Sequence, residues 1–389
     1  MSVGIICEYN PFHNGHLHHL SETGKAFAGE AVICLMSGSL VQRGDIALLD
    51  KSARARMAVL GGADLVLELP LAAACASARD FARGGVGVLK RLSVTHISFG
   101  SECGETEPLV RAAKLLDDDG FDRKIKELLR TGLPFALARQ RAFDELAPEL
   151  APLLRSPNNL LGIEYIRASK GDPAPFTVLR RGAPHDGTDG DDASASAIRA
   201  SLREGGESPL SSMPDFAREI YLEEVREGRA PVFIGNAERA VLSRMRRMSA
   251  ADLLSYADTG EGLNERIVNA VSASVSLNEV YDRAKTKRYA HSRIRRIVAR
   301  AYFGVTADTP IDPPYVRILA FNGRGRALLK SMRKDGLKLI TRPSDIRRLS
   351  PDAARLGELE AKVTDLYSLF MPSVVPCGSE WRRTPVYVG

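Results

Sequence analysis

Cysteine is scarce in this sequence of 389 residues, which contains five of them at wide spacings. They are Cys7, Cys34, Cys75, Cys103 and Cys377. An odd number without any C-x-x-C pair argues against a disulfide framework and against a structural zinc site. We therefore expect the chain to work in a reducing, cytoplasmic compartment.

Long hydrophobic runs are missing as well. No stretch reaches the roughly 18 apolar residues that a membrane-spanning helix needs, so we expect no membrane partner. Residues 1–8 lack the basic segment that opens a secretory signal peptide, and they meet the acidic Glu8 at once. We expect this segment to form the first strand of the fold instead.

Three familiar nucleotide-binding or catalytic motifs are absent. The sequence has no P-loop of the form G-x-x-x-x-G-K-[ST] and no G-x-G-x-x-G, and its Gly84-Gly85-Val86-Gly87 lies within a helical stretch. Ser37 and Ser101 lack the surroundings of a hydrolase nucleophile elbow. Any nucleotide site must therefore use a different phosphate-binding motif.

Charge is unevenly distributed along the chain. Residues 1–200 contain 23 Lys and Arg against 25 Asp and Glu, whereas residues 251–350 contain 19 against 10. A basic part that follows a near-neutral part indicates a polyanionic partner, and nucleic acid is the polyanion that we favour. A mildly basic surface without a dedicated partner is the alternative.

The apolar pattern predicts an α/β fold. Strand-forming runs at residues 3–6, 31–36, 65–69, 95–99 and 176–179 alternate with helical segments, which implies βαβ units and a Rossmann-like parallel sheet. Residues 105–170 have a helical pattern only, which predicts a helical insertion. We predict two domains, a nucleotide-binding domain over residues 1–205 and a mainly helical, basic domain over residues 206–389.

The segment Asn10-Pro11-Phe12-His13-Asn14-Gly15-His16 follows the first predicted strand and opens a helix. Ligands of open parallel sheets bind beyond the carboxyl ends of the strands, and the free N–H groups of a helix N-terminus suit phosphate. His13 and His16 are three residues apart, so both can face one ligand and donate hydrogen bonds as pyrophosphate leaves. They are our candidate catalytic residues.

Two other interpretations of this histidine pair remain. It could be a surface pair beside a helix cap, or it could bind a metal ion. The pair has neither a carboxylate nor a third ligand nearby, so we predict no metal site.

Further segments fit the same site. Gly100 and Arg180-Arg181 end predicted strands, and Asn159 begins a predicted helix. Ser196 and Arg199 belong to a Ser-rich helix start. For the two helix starts, an N-cap without ligand contact is the alternative.

The stretch from Met36 to Asp45 is long and polar for a loop between a strand and a helix, and long loops are usually functional. We expect it to line a second-substrate pocket, with Arg43 and Lys51 facing anions. Lys51 is therefore our third candidate catalytic residue. A solvated loop is the alternative.

Several stretches together resemble the bacterial tRNA(Met) cytidine acetate ligase family, which belongs to the nucleotidyltransferase superfamily with the His-x-Gly-His motif. The resemblance covers nearly the whole chain. The stretches that carry it are residues 8–16, 36–38, 42–44, 62–70, 99–102, 157–159, 287–289 and 293–296.

The resemblance implies an ATP-dependent ligase with a nucleotidyltransferase-like first domain and a tRNA-binding second domain. Acetate and ATP give acetyl-adenylate and pyrophosphate, and the wobble cytidine of elongator tRNA(Met) then becomes N4-acetylcytidine. Mg²⁺ is expected with the ATP.

The resemblance also implies the residues that bind each substrate. The ATP site comprises Ile6, Cys7, Glu8, Tyr9, Asn10, Pro11, Phe12, His13, Asn14, Gly15, His16, Leu17, His18 and His19, with Gly100, Asn159, Arg180, Arg181, Ser196 and Arg199. The tRNA site comprises Lys287, Arg288, Arg293, Arg295 and Arg296. These basic residues would neutralise phosphates, unless they cover an acidic surface of the chain itself.

Two other functions compete with the ligase. A small-molecule adenylyltransferase would use the same histidine pair, but such enzymes are usually shorter and need no basic second domain. An RNA-binding assembly factor with a vestigial nucleotide site is the other, and the intact His13 and His16 argue against it.

Overall fold

The computed structural model describes residues 1–180, 193–206, 208–332 and 337–389. Its strands are β1 Ser2–Cys7, β2 Ala31–Met36, β3 Leu40–Val41, β4 Asp45–Ile46, β5 Leu65–Glu68, β6 His96–Ser101, β7 Ala174–Leu179, β8 Tyr315–Phe321, β9 Lys338–Ile340 and β10 Val386–Tyr387. Short 3-10 helices lie at Ala151–Arg155, Ser208–Ser212, Ile234–Ala237 and Pro343–Arg348.

The α-helices connect these strands and form most of the second half of the chain. They are α1 Asn14–Ala26, α2 Lys51–Leu60, α3 Leu71–Ala74, α4 Ala78–Arg91, α5 Thr106–Leu116, α6 Asp119–Arg130, α7 Phe135–Leu146, α8 Pro157–Ser169, α9 Ala195–Arg203, α10 Asp215–Arg226, α11 Glu238–Arg246, α12 Ala250–Leu253, α13 Leu263–Ser272, α14 Leu277–Ala284, α15 His291–Phe303, α16 Gly323–Met332, α17 Pro351–Ser368 and α18 Ser379–Arg382. No helix within the described ranges is long and apolar enough to cross a membrane.

The main sheet runs in the order β10-β8-β5-β2-β1-β6-β7, with β9 beside β8. The strands β5, β2, β1, β6 and β7 pair in parallel. Their continuous apolar sequences arise because helices cover both faces, which leaves neither side of a strand in water. The predicted α/β fold with a mainly parallel sheet is confirmed.

The predicted helical insertion is also confirmed. Helices α5, α6, α7 and α8 lie between β6 and β7 in the sequence, and α8 packs along α4 on one face of the sheet. Helix α4 approaches β1 closely, since a Cβ on Gly85 would collide with Ile6 and one on Gly4 (in β1) with Leu89. Gly85 in the glycine-rich stretch of α4 therefore serves helix-to-sheet packing.

The second half of the chain contains a helical unit and then returns to the sheet. Helices α11, α13, α14 and α15 share an apolar core that includes Ile267, Val280 and Ile297. Strand β8 then pairs antiparallel with β5, and β9 and β10 pair with β8. Strands from both predicted domains thus share one sheet. The division of the chain into a nucleotide-binding part and a tRNA-binding part at residues 205 and 206 stays a prediction.

Candidate active site

A cavity of about 600 Å³ opens at the carboxyl ends of β1, β6 and β7. It brings together most of the predicted ATP-binding residues, namely Ile6, Cys7, Glu8, Tyr9, His13, Gly15, His16, His18, His19, Gly100, Arg180, Ser196 and Arg199. The predicted residues outside its lining are Asn10, Pro11, Phe12, Asn14, Leu17, Asn159 and Lys51. Arg181 lies outside the residues that the structure describes.

The two histidines of the motif form the start of α1. His13 is the N-cap, and its Nδ1 accepts a hydrogen bond from the backbone N–H of Gly15 at 3.0 Å. The backbone N–H of His13 donates to Nδ1 of His16 at 3.3 Å, so the pair forms a capping box. Since both Nδ1 atoms accept, this pattern assigns the proton of each neutral ring to Nε2, where it can be donated to a ligand.

Burial keeps these imidazoles uncharged. Burial, with the charges of Arg180 and Arg199, lowers the pKa of His13 to about 3. Burial lowers the pKa of His16 well below its usual value, with His13, Arg180 and His19 adding to the effect. Burial and Arg180 also lower the pKa of His19 to about 4. At neutral pH these three rings therefore stay neutral, and their N–H groups can donate hydrogen bonds to a ligand.

Three of the described residues that line the cavity are arginines, namely Arg43, Arg180 and Arg199. Arg199, on α9, donates to the backbone oxygens of Asn10 at 2.6 Å and Ala195 at 3.1 Å, and to the hydroxyl of Ser196 at 3.3 Å. Arg180 follows β7 and lines the cavity near Gly100. Because arginine stays protonated in proteins, both side chains present cations to an anionic ligand.

Asn159 organises a loop beside the cavity. Its side-chain oxygen accepts the backbone N–H groups of Glu102 and Cys103 at 2.9 and 3.2 Å. The Glu102 carboxylate in turn accepts from the amide of Asn158 at 2.7 Å and from the backbone N–H of Asn159 at 2.8 Å. Asn159 is 3% exposed, whereas its neighbour Asn158 lines the cavity. The predicted ATP contact of Asn159 stays a prediction, and Asn158 is the better placed amide.

The hairpin formed by β3 and β4 closes another side of the cavity. Gln42 and Arg43 line it, and the backbone N–H of Gln42 donates to the carboxylate of Glu8 at 2.7 Å. Gly44 has a φ of +75°, and a Cβ there would collide with the backbone of Arg295 and Arg296 in α15. The hairpin thus joins the cavity to the basic helix.

Other residues that line the cavity are not among the predicted site residues. Phe81, Phe99, Leu160 and Tyr165 form an apolar wall, and Ser292 reaches the cavity from the first turn of α15. These side chains come from α4, β6, α8 and α15. Only tertiary packing brings these elements together, so neither spacing nor composition could have identified them.

Lys51 lies in a buried ion network rather than in the cavity lining. Its ammonium contacts the carboxylates of Glu68 at 2.8 Å and Glu380 at 2.6 Å, and its side chain is 2% exposed. Arg317 also contacts Glu380, and Arg383 pairs with Asp50 at 2.6 Å. The network comprises Lys51, Arg317, Arg383, Asp50, Glu68 and Glu380. These neighbours favour a structural role, and the catalytic role of Lys51 stays a prediction.

Two of the predicted tRNA-binding residues are exposed. Lys287 and Arg288 lie between α14 and α15, on the surface of the helical unit. Arg288 pairs with Glu261 at 3.0 Å, and its side chain is 60% exposed. Exposed ion pairs are weak, so a phosphate can displace this one.

The other three are engaged within the chain. Arg293 donates to the backbone oxygen of Asp258 at 2.9 and 3.0 Å. Arg296 is 8% exposed and lies 3.8 Å from the Asp258 carboxylate. The guanidinium of Arg295 lies 5.3 Å from the ring centre of Tyr281. Their tRNA contacts stay predictions, and Lys287 and Arg288 are the better placed.

Comparisons with known proteins agree with this geometry. A family model described as HIGH Nucleotidyl Transferase matches residues 1–379. The tRNA(Met) cytidine acetate ligase of Acetivibrio thermocellus is 36% identical over 407 aligned residues, which cover 98% of this chain and 98% of that protein. The tRNA(Met) cytidine acetate ligase of Caldanaerobacter subterraneus subsp. tengcongensis is 36% identical, with 95% of both chains covered.

Solved structures share the whole fold. The apo crystal structure of Thermotoga maritima TmcAL matches with a TM-score of 0.93 and 34% identity, and it covers 100% of both chains. The crystal structure of the same protein bound with alpha-thio ATP matches with a TM-score of 0.92 and 33% identity, again over 100% of both chains.

Proposed function

The chain belongs to the HIGH nucleotidyl transferase family and, within it, to the tRNA(Met) cytidine acetate ligases, and from that membership we propose that it acetylates a tRNA with acetate and ATP. Acetate first attacks the α-phosphate of ATP, which gives acetyl-adenylate and pyrophosphate. The N4 amine of the wobble cytidine in elongator tRNA(Met) then takes the acetyl group, which gives N4-acetylcytidine and AMP. We propose that this takes place in the cytoplasm.

The observation that carries the proposal is the pairing of neutral imidazoles with guanidiniums around one cavity. As an acetate oxygen bonds to the α-phosphorus, the bond to the leaving pyrophosphate breaks and negative charge collects on the departing oxygens. The Nε2–H groups of His13 and His16 donate to these oxygens, and Arg180 and Arg199 neutralise them. Positioning and charge stabilisation of this kind dominate transfers at phosphorus.

The described residues include no evident metal site. Within the described ranges, no three His, Cys, Asp or Glu side chains are grouped as metal ligands. We therefore propose that Mg²⁺ enters as the MgATP complex, held by the triphosphate and water.

Adenylation can be tested separately from acetyl transfer. We expect labelled pyrophosphate to exchange into ATP when acetate is present, measured with and without tRNA(Met). An exchange rate that does not depend on acetate, or exchange that requires another small carboxylate, would contradict the proposal that acetate is the substrate.

The tRNA contact is expected to depend on the exposed basic pair. Replacing both Lys287 and Arg288 by glutamine should weaken tRNA binding and flatten the dependence of log affinity on log salt by about 2, since two phosphate contacts are lost. The measurement is a filter-binding titration at several salt concentrations. Replacing the exposed Lys126 and Arg130 on α6 by glutamine is the matched control, with no change of slope expected. Equal slopes for both double variants would contradict the prediction that Lys287 and Arg288 contact tRNA phosphates.

A further inference from the structure

Glu8 carries the only carboxylate among the described residues that line the cavity. It directly follows β1, two residues before the motif that holds His13 and His16. One of its carboxylate oxygens, Oε1, accepts the backbone N–H of Gln42 at 2.7 Å. Its other oxygen has no hydrogen-bond partner in the described part of the chain, so it is free to accept from a ligand.

Glu8 lies on the side of the cavity that is bordered by the β3–β4 hairpin and α15, where we expect the tRNA to bind. Its partner Gln42 belongs to the hairpin whose Gly44 rests on the backbone of α15. Ser292, in the first turn of the same helix, lines the same cavity. The predicted phosphate contacts Lys287 and Arg288 immediately precede α15. A base that enters beside α15 therefore meets the Glu8 carboxylate.

We propose that Glu8 binds the N4 amine of the target cytidine and removes its proton during acetyl transfer. The inference rests on the proposed function and adds a residue for its second step. A carboxylate that accepts from N4 is also the complement of cytosine, because uracil presents a carbonyl oxygen at the same position. Glu8 thus serves as both the base and the selector of cytidine.

Acetyl transfer forms one bond to N4 of cytidine and breaks the bond between the acetyl group and AMP. The lone pair of N4 forms the bond to the carbonyl carbon of acetyl-adenylate, and the bond from that carbon to the AMP oxygen breaks. One N4 proton moves to the free oxygen of Glu8, and AMP leaves with its negative charge. The exocyclic amine of cytosine is a weak nucleophile because its lone pair is conjugated with the ring, so removing the proton as the bond forms lowers the barrier.

The electrostatic setting of Glu8 supports a base. Burial raises its pKa above the usual value, while the Gln42 N–H and the charges of Arg199, Arg54 and Arg43 act in the opposite direction. The charge of Glu8 in turn acts on Cys75 and Tyr165, whose own pKa values are raised chiefly by burial. A carboxylate with a raised pKa is a stronger base and accepts a proton more readily.

Glu8→Gln separates the two half-reactions. The glutamine oxygen can still accept from the Gln42 N–H, so the hairpin keeps its anchor. We expect single-turnover transfer of the acetyl group to tRNA(Met) to fall by about 10²–10⁴-fold more than acetate-dependent pyrophosphate exchange, because the variant loses the base. In the wild type, the transfer rate should fall as pH drops through the raised pKa of Glu8, and this fall should vanish in the variant.

The control is Glu164→Gln, which removes a carboxylate that is 9% exposed but pairs with Arg167 outside the cavity lining. It should leave both half-reactions unchanged. If Glu8→Gln loses exchange and transfer equally, Glu8 belongs to the ATP site and the inference fails. Full transfer by Glu8→Gln would also overturn it. If the wild-type protein acetylates no tRNA, the proposed function fails instead.

Discussion

Replacing His16 by asparagine is expected to slow acetate-dependent pyrophosphate exchange by about 10²–10³-fold, the usual cost of one preorganised donor to a developing charge. The Nδ1 atom of His16 accepts from the backbone of His13, which leaves Nε2–H for the ligand. The asparagine oxygen reaches the position of Nδ1 and keeps the cap, but nothing replaces the donor at Nε2. The loss should therefore appear in kcat, while tRNA affinity stays at the wild-type level.

His16→Gln is the matched control for this prediction. The glutamine amide nitrogen reaches the position of Nε2, so it keeps a donor and loses the acceptor for the His13 N–H. It should retain more exchange activity than His16→Asn and be less stable to heat. Equal activities of the two variants would contradict the assignment of the proton to Nε2.

Lys51→Met is expected to lower the free energy of unfolding by about 3–5 kcal/mol, the range for removing one partner from a buried ion pair. The buried ion network contains three cations and three carboxylates, and the side chains of Lys51 and Glu380 are 2% and 1% exposed. Removing Lys51 leaves one carboxylate without a balancing charge. The measurement is equilibrium denaturation by urea, with exchange activity determined on the folded protein.

Restoring the charge balance of the buried ion network should recover part of the lost free energy of unfolding. Lys51→Met combined with Glu68→Gln leaves two cations and two carboxylates, so the double variant should lose less than the sum of the two single losses. Normal stability of Lys51→Met with loss of exchange would support the predicted catalytic role of Lys51 and contradict the structural one.

The parallel strands could be predicted from the sequence because they are buried on both faces. The run at residues 31–36 coincides with β2, and the run at residues 3–6 lies within β1. The site at their carboxyl ends followed from the same pattern, since a strand followed by a helix start places His13 and His16 at the sheet edge.

Long-range pairing could not be predicted. The apolar run at residues 316–321 predicts a strand, but nothing in it shows that β8 pairs antiparallel with β5. Lys51 is a similar case, because its partner Glu380 is 329 residues away. The sequence places Lys51 after a polar loop and predicts that it faces a substrate, whereas only the fold shows which carboxylates surround it.

The most direct measurement combines the pure protein with labelled acetate, ATP and purified elongator tRNA(Met), followed by digestion of the tRNA to nucleosides. Label in N4-acetylcytidine from the wobble position, dependent on ATP and absent with His16→Asn, is the predicted result. Acetate activation without any label in the tRNA, or label in another nucleoside, would contradict the assignment of this chain as a tRNA(Met) cytidine acetate ligase.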